Sequence, residues 1–554
     1  MIDGLRTWLV RRFLARLKTP RDVARFAFRR YAKRVAVVDA QCSVTYAELG
    51  RRTYRIAAAW SGLGIKPGDV IAVHLPDGIA QVEARLAAAE CGAVLSLLAP
   101  WSTAEQIAAS LLILEPRLFV HDGSDPAMCL ELSRRFPKLI QLILQAGEPE
   151  WLAPGPAAPC AVAVDPQDTL ALGFTSGTTG TPKVMTATYG VYLTSIRLMV
   201  DNVGLGKPGA RPDTMLVGIP LTGAGSGVLL PTLLSGGCLV VPPRYEAQTL
   251  IECIARHRAT RLFTTPSLLI DMLDHPLLDQ TDISSLHNII YGTEMTPVAK
   301  LEEALRRFGP ILQQGYGSAE VLPPVSMLQP HQHMQDGRPA AREVLMSCGR
   351  VVPQVTVRII DEAGNDLPPG TPGQVLVKSP TLFRGYWKRP DLNADNLRNG
   401  FLHIGDIGVL STDGYLTLLG RKPDILQRDG RVIYPRLVEE MLHDHSAIKE
   451  ATFVQGPTGA VMAFSLRRAW RAPRHRGYWG TELARHLQSR VQDWQLPDSY
   501  HLFDELPRSP LGKVLRREVR ARLAASAANG EVLLGHESSL ASLFLRSGPT
   551  PVPA

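Results

Sequence analysis

Along residues 35–150, short valine, isoleucine and leucine runs alternate with alanine-rich stretches, as in Asp69-Val-Ile-Ala-Val-His74 followed by Gly78 to Cys91. Apolar runs of strand length that alternate with helix-length stretches predict a wound α/β unit. The pattern resumes over about 165–330, where Leu170 to Phe174, Arg261 to Thr265 and Asn288 to Tyr291 have the length and apolar content of buried strands. Between these two regions the Pro/Ala-rich run Ala153 to Pro159 predicts a loop.

From about 350 the texture changes to β-rich segments with turn signals, Val355 to Ile360, Gly373 to Lys378 and Tyr415 to Leu419, which predict a barrel-like or sandwich subdomain. After Gly420-Arg-Lys-Pro-Asp424 comes a compact unit to about 525 with predicted helices Arg436 to His445 and Glu482 to Gln492. The expected organisation is therefore a basic arm over 1–34 and a large region over 35–421, whose β-rich part covers about 345–421. A small α+β domain over 422–525 and a disordered tail over 526–554 follow.

Two segments test this reading. Thr214 to Pro243 carries no ionisable side chain except Cys238 and is long enough to span a bilayer. Pro220, Pro231 and six glycines divide it, so a strand, a loop, a helix and a second strand in a protein core are expected instead. The amino-terminal arm places Leu5, Leu9, Phe13 and Leu17 at four-residue spacing with Arg6, Arg11, Arg12 and Arg16 between them. A helix docked on the first domain is the favoured reading. The same pattern also fits weak peripheral contact with an anionic membrane, or an organelle transit segment.

The 554 residues exceed one core and predict two or three domains, and 45% hydrophobic with 20% charged residues is globular composition. The formal charge of +8 is local: residues 1–34 hold +9, leaving the other 520 at −1. A neutral body removes the main support for nucleic-acid binding. Seven cysteines, Cys42, Cys91, Cys129, Cys160, Cys238, Cys253 and Cys348, form no Cys-x-x-Cys pair. That argues against zinc and a disulfide framework, and for a cytoplasmic setting.

The chemistry concentrates first at Thr175-Ser-Gly-Thr-Thr-Gly-Thr-Pro-Lys183, directly after the strand at 170–174. Gly177 and Gly180 allow the backbone to approach an anion, Thr175, Ser176, Thr178 and Thr179 offer hydroxyl donors, and Lys183 adds a mobile charge. Two residues separate Gly180 from Lys183, so this is not a Walker A loop.

The wording of this loop resembles the phosphate loop of the adenylate-forming superfamily, which includes acyl-CoA synthetases, aryl-acid AMP ligases, nonribosomal adenylation domains and luciferases. Further segments match in order, over about residues 30–525. Gly292-Thr293-Glu294 resembles the adenine-edge segment. Gln314-Gly315-Tyr316-Gly317-Ser318-Ala319-Glu320 resembles the aromatic-Gly-x-Thr/Ala-Glu motif, which implies Tyr316 on adenine and Glu320 on Mg²⁺. Asp406 in His403-Ile-Gly405-Asp406 corresponds to the ribose-binding aspartate, and Arg421 to the arginine on the ribose and phosphate side. Leu506-Pro-Arg-Ser-Pro-Leu-Gly512-Lys513 resembles the carboxyl-terminal lysine loop.

The resemblance implies ATP-dependent adenylation of a carboxylic acid, with Lys183 and Lys513 catalytic, then transfer to CoA or to the phosphopantetheine thiol of an acyl or aryl carrier protein. The chain also departs from the family pattern. Ala319 replaces the usual threonine. Thr222-Gly223-Ala224 carries Gly223 for a histidine beside the substrate tunnel and Ala224 for the asparagine that recognises 2-hydroxybenzoates; with Gly315 these line the implied pocket. No aspartate stands where relatives hold a substrate ammonium. Pro423 occupies the hinge position, and its fixed φ restrains domain rotation. A hydrophobic fatty or other bulky acid is therefore expected. The alternatives are an aryl-acid AMP ligase that loads a carrier protein, and a non-catalytic nucleotide-binding relative.

Overall fold

The computed structural model describes all residues except 1–11, 145–156, 176–182, 208–209, 472–477, 510–511, 529–533 and 536–554. The described residues fall into two compact units. The first runs to Thr296 and continues through Glu302–Ile404 and Val409–Leu418; the second comprises Pro297–Leu301, Gly405–Gly408 and the chain from Leu419 onward.

The first unit has the expected wound α/β architecture with a β-rich segment. Among the described residues, one sheet has nine strands, in the order Arg350–Val351, Ser326–Leu328, Leu312–Tyr316, Asn288–Gly292, Arg261–Thr264, Thr214–Val217, Cys238–Val240, Val35–Val38 and Ser43–Thr45. The six strands from Leu312–Tyr316 to Val35–Val38 run parallel. A second sheet has seven strands, in the order Gly385–Tyr386, Lys183–Thr188, Thr169–Thr175, Val94–Leu97, Val70–His74, Leu118–His121 and Ile140–Ile143. The last five of these are parallel, and Lys183–Thr188 returns antiparallel to Thr169–Thr175.

Local chemistry sets the helix ends. Thr45 and Glu48 form a capping box for Tyr46–Gly62, and Thr103 with Gln106 does the same for Ala104–Leu114. Helix Ile79–Cys91 buries nearly every side chain, because alanines let it lie close to its neighbours. The predicted strand Arg261 to Thr265 ends one residue early, since the Thr265 hydroxyl caps helix Pro266–Leu273 by accepting from the Leu268 N–H.

The uncharged segment resolves into strand Thr214–Val217, a 3₁₀ turn Ala224–Val228, helix Leu229–Leu234 and strand Cys238–Val240, all within the first unit. No helix among the described residues is long and apolar enough to cross a membrane. Of the amino-terminal arm, residues 12–16 and Pro20–Arg30 are helical; Leu14 and Leu17 pack on Leu193, Ile196, Val200 and Leu234, while Arg12 and Arg16 stay exposed. The Arg197 guanidinium donates to the Leu14 and Leu17 carbonyls. Its first residues, with Leu5 and Leu9, lie outside the described residues.

Within the second unit, strands Ile448–Gly456, Gly459–Leu466, Ser499–Leu502 and Leu534–Gly535 form a sheet against helices Pro435–His443, Tyr478–Gln488 and Arg516–Ala528. The helix expected at Glu482 to Gln492 lies four residues earlier, because the buried face is Trp479, Leu483, Ala484 and Leu487. Two parts of the expected tail are ordered: a helix that reaches Ala528, and Leu534–Gly535 paired with Ser499 and Tyr500.

Candidate active site

Neighbouring parallel strands of the nine-stranded sheet end at Gly292 and at Tyr316, so residues 292–294 and 315–320 leave the sheet from the same edge, the carboxyl end where α/β proteins bind ligands. Gly292 and Gly315 are register partners, and a Cβ on Gly292 would stand 2.4 Å from the Gly315 carbonyl oxygen. Only glycine permits that approach. The next residue, Thr293, holds a φ of 75°, a conformation that side chains other than glycine rarely adopt. Glu294 accepts a hydrogen bond from the Ser267 hydroxyl at 3.0 Å.

Beneath this edge a buried network anchors the strand that carries Gly292. The Gln329 carbonyl oxygen lies 2.8 Å from His333 Nδ1, so Nδ1 carries the proton and Nε2 accepts from the Tyr291 hydroxyl at 2.9 Å. Burial lowers the His333 pKa to about 4 and keeps the ring neutral.

Tyr316 and Ala319 pack on the main core of the first unit. Glu320 is held at both oxygens: the Ser318 hydroxyl donates to Oε2 at 2.9 Å, and the Tyr386 hydroxyl to Oε1 at 3.2 Å. Thr175 ends its strand directly opposite Lys183, and the Lys183 ammonium lies over the Tyr386 ring, 5.7 Å from its centroid. The structure thus gathers Lys183, Tyr386 and Glu320 into one cluster. Ser176, Gly177, Thr178, Thr179 and Gly180 lie outside the described residues. Gly317 packs against Pro323, which a Cβ would approach at 2.8 Å.

Sequence reasoning missed Tyr386. A signal existed in Gly385-Tyr386-Trp387, where Gly385 takes a φ of 137° and the following strand residue pairs with Met185, two residues from Lys183. Nothing local marked that aromatic as a neighbour of residue 320.

The implied pocket segment follows Leu221, which is gripped from two sides. Its N–H donates to Asp77 Oδ2 at 2.8 Å, and its carbonyl accepts from Arg85 at 3.0 Å; Tyr245 and Gln81 also donate to Asp77. Downstream, Thr222 and Gly223 are half-buried and Ala224 is exposed, while Gly315 is half-buried beside Met327. The Thr222 Oγ1 is enclosed and has no hydrogen-bond partner among the described residues.

The remaining sequence-predicted residues belong to the second unit. Arg421 Nε pairs with Asp406 Oδ1 at 2.7 Å, the carboxylate side chain 10% exposed and the guanidinium 56%. Pro423 sits in the 3₁₀ turn Lys422–Asp424, and Arg520 donates to Asp424 at 3.0 Å. The Lys513 loop closes on itself: Ser509 N–H donates to the Lys513 carbonyl at 2.8 Å, and Arg508 joins the Gly512 carbonyl at 2.8 Å to Glu450 at 2.5 Å.

This fold is that of the adenylate-forming enzymes. It superposes on the structure of the amide bond synthetase McbA from Marinactinospora thermotolerans with a TM-score of 0.80 and 28% identity, over 91% of this chain and 100% of that one. Residues 24–387 match the family model of the AMP-binding enzymes, and the chain belongs to that family. A feruloyl-CoA synthase from Amycolatopsis sp is 29% identical over 88% of this chain and 95% of its own length. A fatty acid–[acyl-carrier-protein] ligase, ScoC, from Streptomyces coeruleorubidus is 30% identical over 87% of this chain and 92% of its own.

Proposed function

We propose that this enzyme adenylates a hydrophobic fatty or other bulky carboxylic acid and passes the acyl group to the thiol of CoA or of a carrier protein. The observation that carries the reading is the cluster of Lys183, Tyr386 and Glu320 beside the end of strand Thr169–Thr175. In the first half-reaction a carboxylate oxygen attacks the α-phosphorus of ATP and the bond to the β-phosphate oxygen breaks. Lys183 neutralises the departing pyrophosphate, and Lys513 stabilises charge on the α-phosphate and the entering oxygen. The acyl-adenylate then loses AMP to the attacking thiol.

Thr175 to Gly180 cradle the phosphates, Gly292 to Glu294 border the adenine, and Tyr316 with Gly317 stacks on it. Asp406 and Arg421 hold the ribose side, and Pro423 stands at the hinge position, where its fixed φ restrains the rotation that would move Lys513 between half-reactions. Glu320 suits magnesium, because a carboxylate with a spare lone pair on each hydrogen-bonded oxygen, plus substrate phosphates and water, is a common Mg²⁺ ligand set. Bound there, the ion would supply charge neutralisation on the triphosphate.

The absence of a bulky side chain at Gly223 and Ala224 favours a wide, apolar acid pocket lined by Thr222, Gly223, Ala224 and Gly315. An aryl acid is the second reading, supported by the similarity to feruloyl-CoA synthase. Seven free thiols suit a cytoplasmic setting. A pyrophosphate-release screen over fatty, aryl and amino acids, with and without CoA, tests the proposal. Release with bulky acids and thioester formation on adding CoA are expected; release with amino acids alone, or with none of the three, refutes it.

A further inference from the structure

Tyr386 lies outside the segments assigned to the nucleotide, yet it meets both Glu320 and Lys183. Its hydroxyl donates to Glu320 Oε1 at 3.2 Å, and the Lys183 ammonium lies 5.7 Å from the centre of its ring. The ring itself has little freedom. The Tyr386 backbone N–H donates to Asn393 Oδ1 at 2.7 Å, the strand Gly385–Tyr386 pairs with Met185 and Thr186, and Phe383 meets the ring edge-on at 4.8 Å between centroids. The side chain is buried.

Tyrosine suits this place for a physical reason. Its face carries the negative lobe of the ring quadrupole and attracts a cation, while its hydroxyl edge donates to an anion. One neutral side chain can therefore order an ammonium and a carboxylate together without cancelling either charge. Ser318 restrains the second Glu320 oxygen at 2.9 Å, so the carboxylate plane is set from both sides.

We propose that Tyr386 is a positioning residue that sets the spacing of the Glu320 carboxylate and the Lys183 ammonium for a magnesium–triphosphate. The proposal rests on the adenylation reading above. Phenylalanine at 386 keeps the ring beneath Lys183 and deletes only the hydroxyl; leucine deletes both contacts.

Calorimetric titration of the full chain with ATP, in saturating magnesium and in EDTA, separates the two roles. For Tyr386→Phe, ATP affinity in EDTA stays at the wild-type value, and the affinity gained on adding magnesium falls about tenfold, the effect of losing one hydrogen bond to a charged group. For Tyr386→Leu, affinity in EDTA also drops, by about threefold, as expected for a lost cation–π contact. Wild-type affinities for Tyr386→Phe under both conditions overturn the proposal. If Tyr386→Leu melts early, Tyr386→Phe decides alone, since its packing is unchanged. Parallel exchange of labelled pyrophosphate into ATP by the wild-type protein keeps the two readings apart. Binding of ATP without exchange for any acid sinks the ligase reading and leaves Tyr386 to the titrations; no ATP binding at all removes both.

Discussion

Gly292→Ala tests whether the close approach of two strand ends holds the nucleotide edge in place. The new Cβ would meet the Gly315 carbonyl oxygen at 2.4 Å, whereas carbon–oxygen contacts settle at about 3.3 Å. The strands must part by about 0.9 Å, which stretches the neighbouring ladder bonds from about 2.9 Å to about 3.8 Å, beyond useful length. Losing one or two such bonds costs about 2 kcal/mol, a fall of about 3 °C in Tm for a unit of this size. Tyr316 directly follows Gly315, so it shifts with the strand, and a displacement near 1 Å reduces kcat/KM for ATP by about ten- to a hundredfold.

Differential scanning calorimetry and ATP-dependent pyrophosphate exchange measure the two effects. Gly62→Ala serves as the control of opposite sign. A Cβ there meets nothing within 4 Å, and the residue closes helix Tyr46–Gly62, so alanine stabilises by about 0.5–1 kcal/mol. A Gly292→Ala protein that melts with the wild type and exchanges pyrophosphate at the wild-type rate would refute the reasoning.

Two further outcomes are expected. Lys513→Ala reduces acyl-adenylate formation by about 10²–10³-fold, while thiol attack on a supplied adenylate changes only a few-fold; equal loss in both half-reactions, measured separately, contradicts its assigned role. Glu83 is fully buried beside Arg52 at 2.7 Å, and burial raises its pKa from 4.5 to about 7 against the pull of that guanidinium. From pH 4.5 to 7 the folded chain keeps a proton that the unfolded chain releases. Its contribution is therefore full below pH 4.5 and falls, by on the order of 3 kcal/mol, as pH rises through 7. Glu83→Gln flattens the Tm profile over that window, and an unchanged slope excludes Glu83 as its source.

The strands read from the chain were legible because their signal is local. Gly373–Lys378 matches the predicted span residue for residue, and Val70–His74 and Asn288–Gly292 differ by one residue at an end. Errors arose where tertiary burial chose the helix face, as at Tyr478–Gln488, or where a cap claimed a strand-like residue, as at Thr265. The uncharged run at 214–243 was legible as core because proline and glycine break it whatever surrounds it.

Residue order and side-chain chemistry alone determined the α/β class, the phosphate-loop wording at 175–183 and the succession of segments that carry the family resemblance. Hydrophobic period, turn residues and motif spacing are all encoded within a few positions of one another. Only the tertiary structure decided that Tyr386 meets a carboxylate 66 positions away and that Asp77 grips the Leu221 N–H across 144. Those contacts depend on which strands lie side by side, and strand order is set by how whole sheets bury their faces rather than by any neighbouring residues.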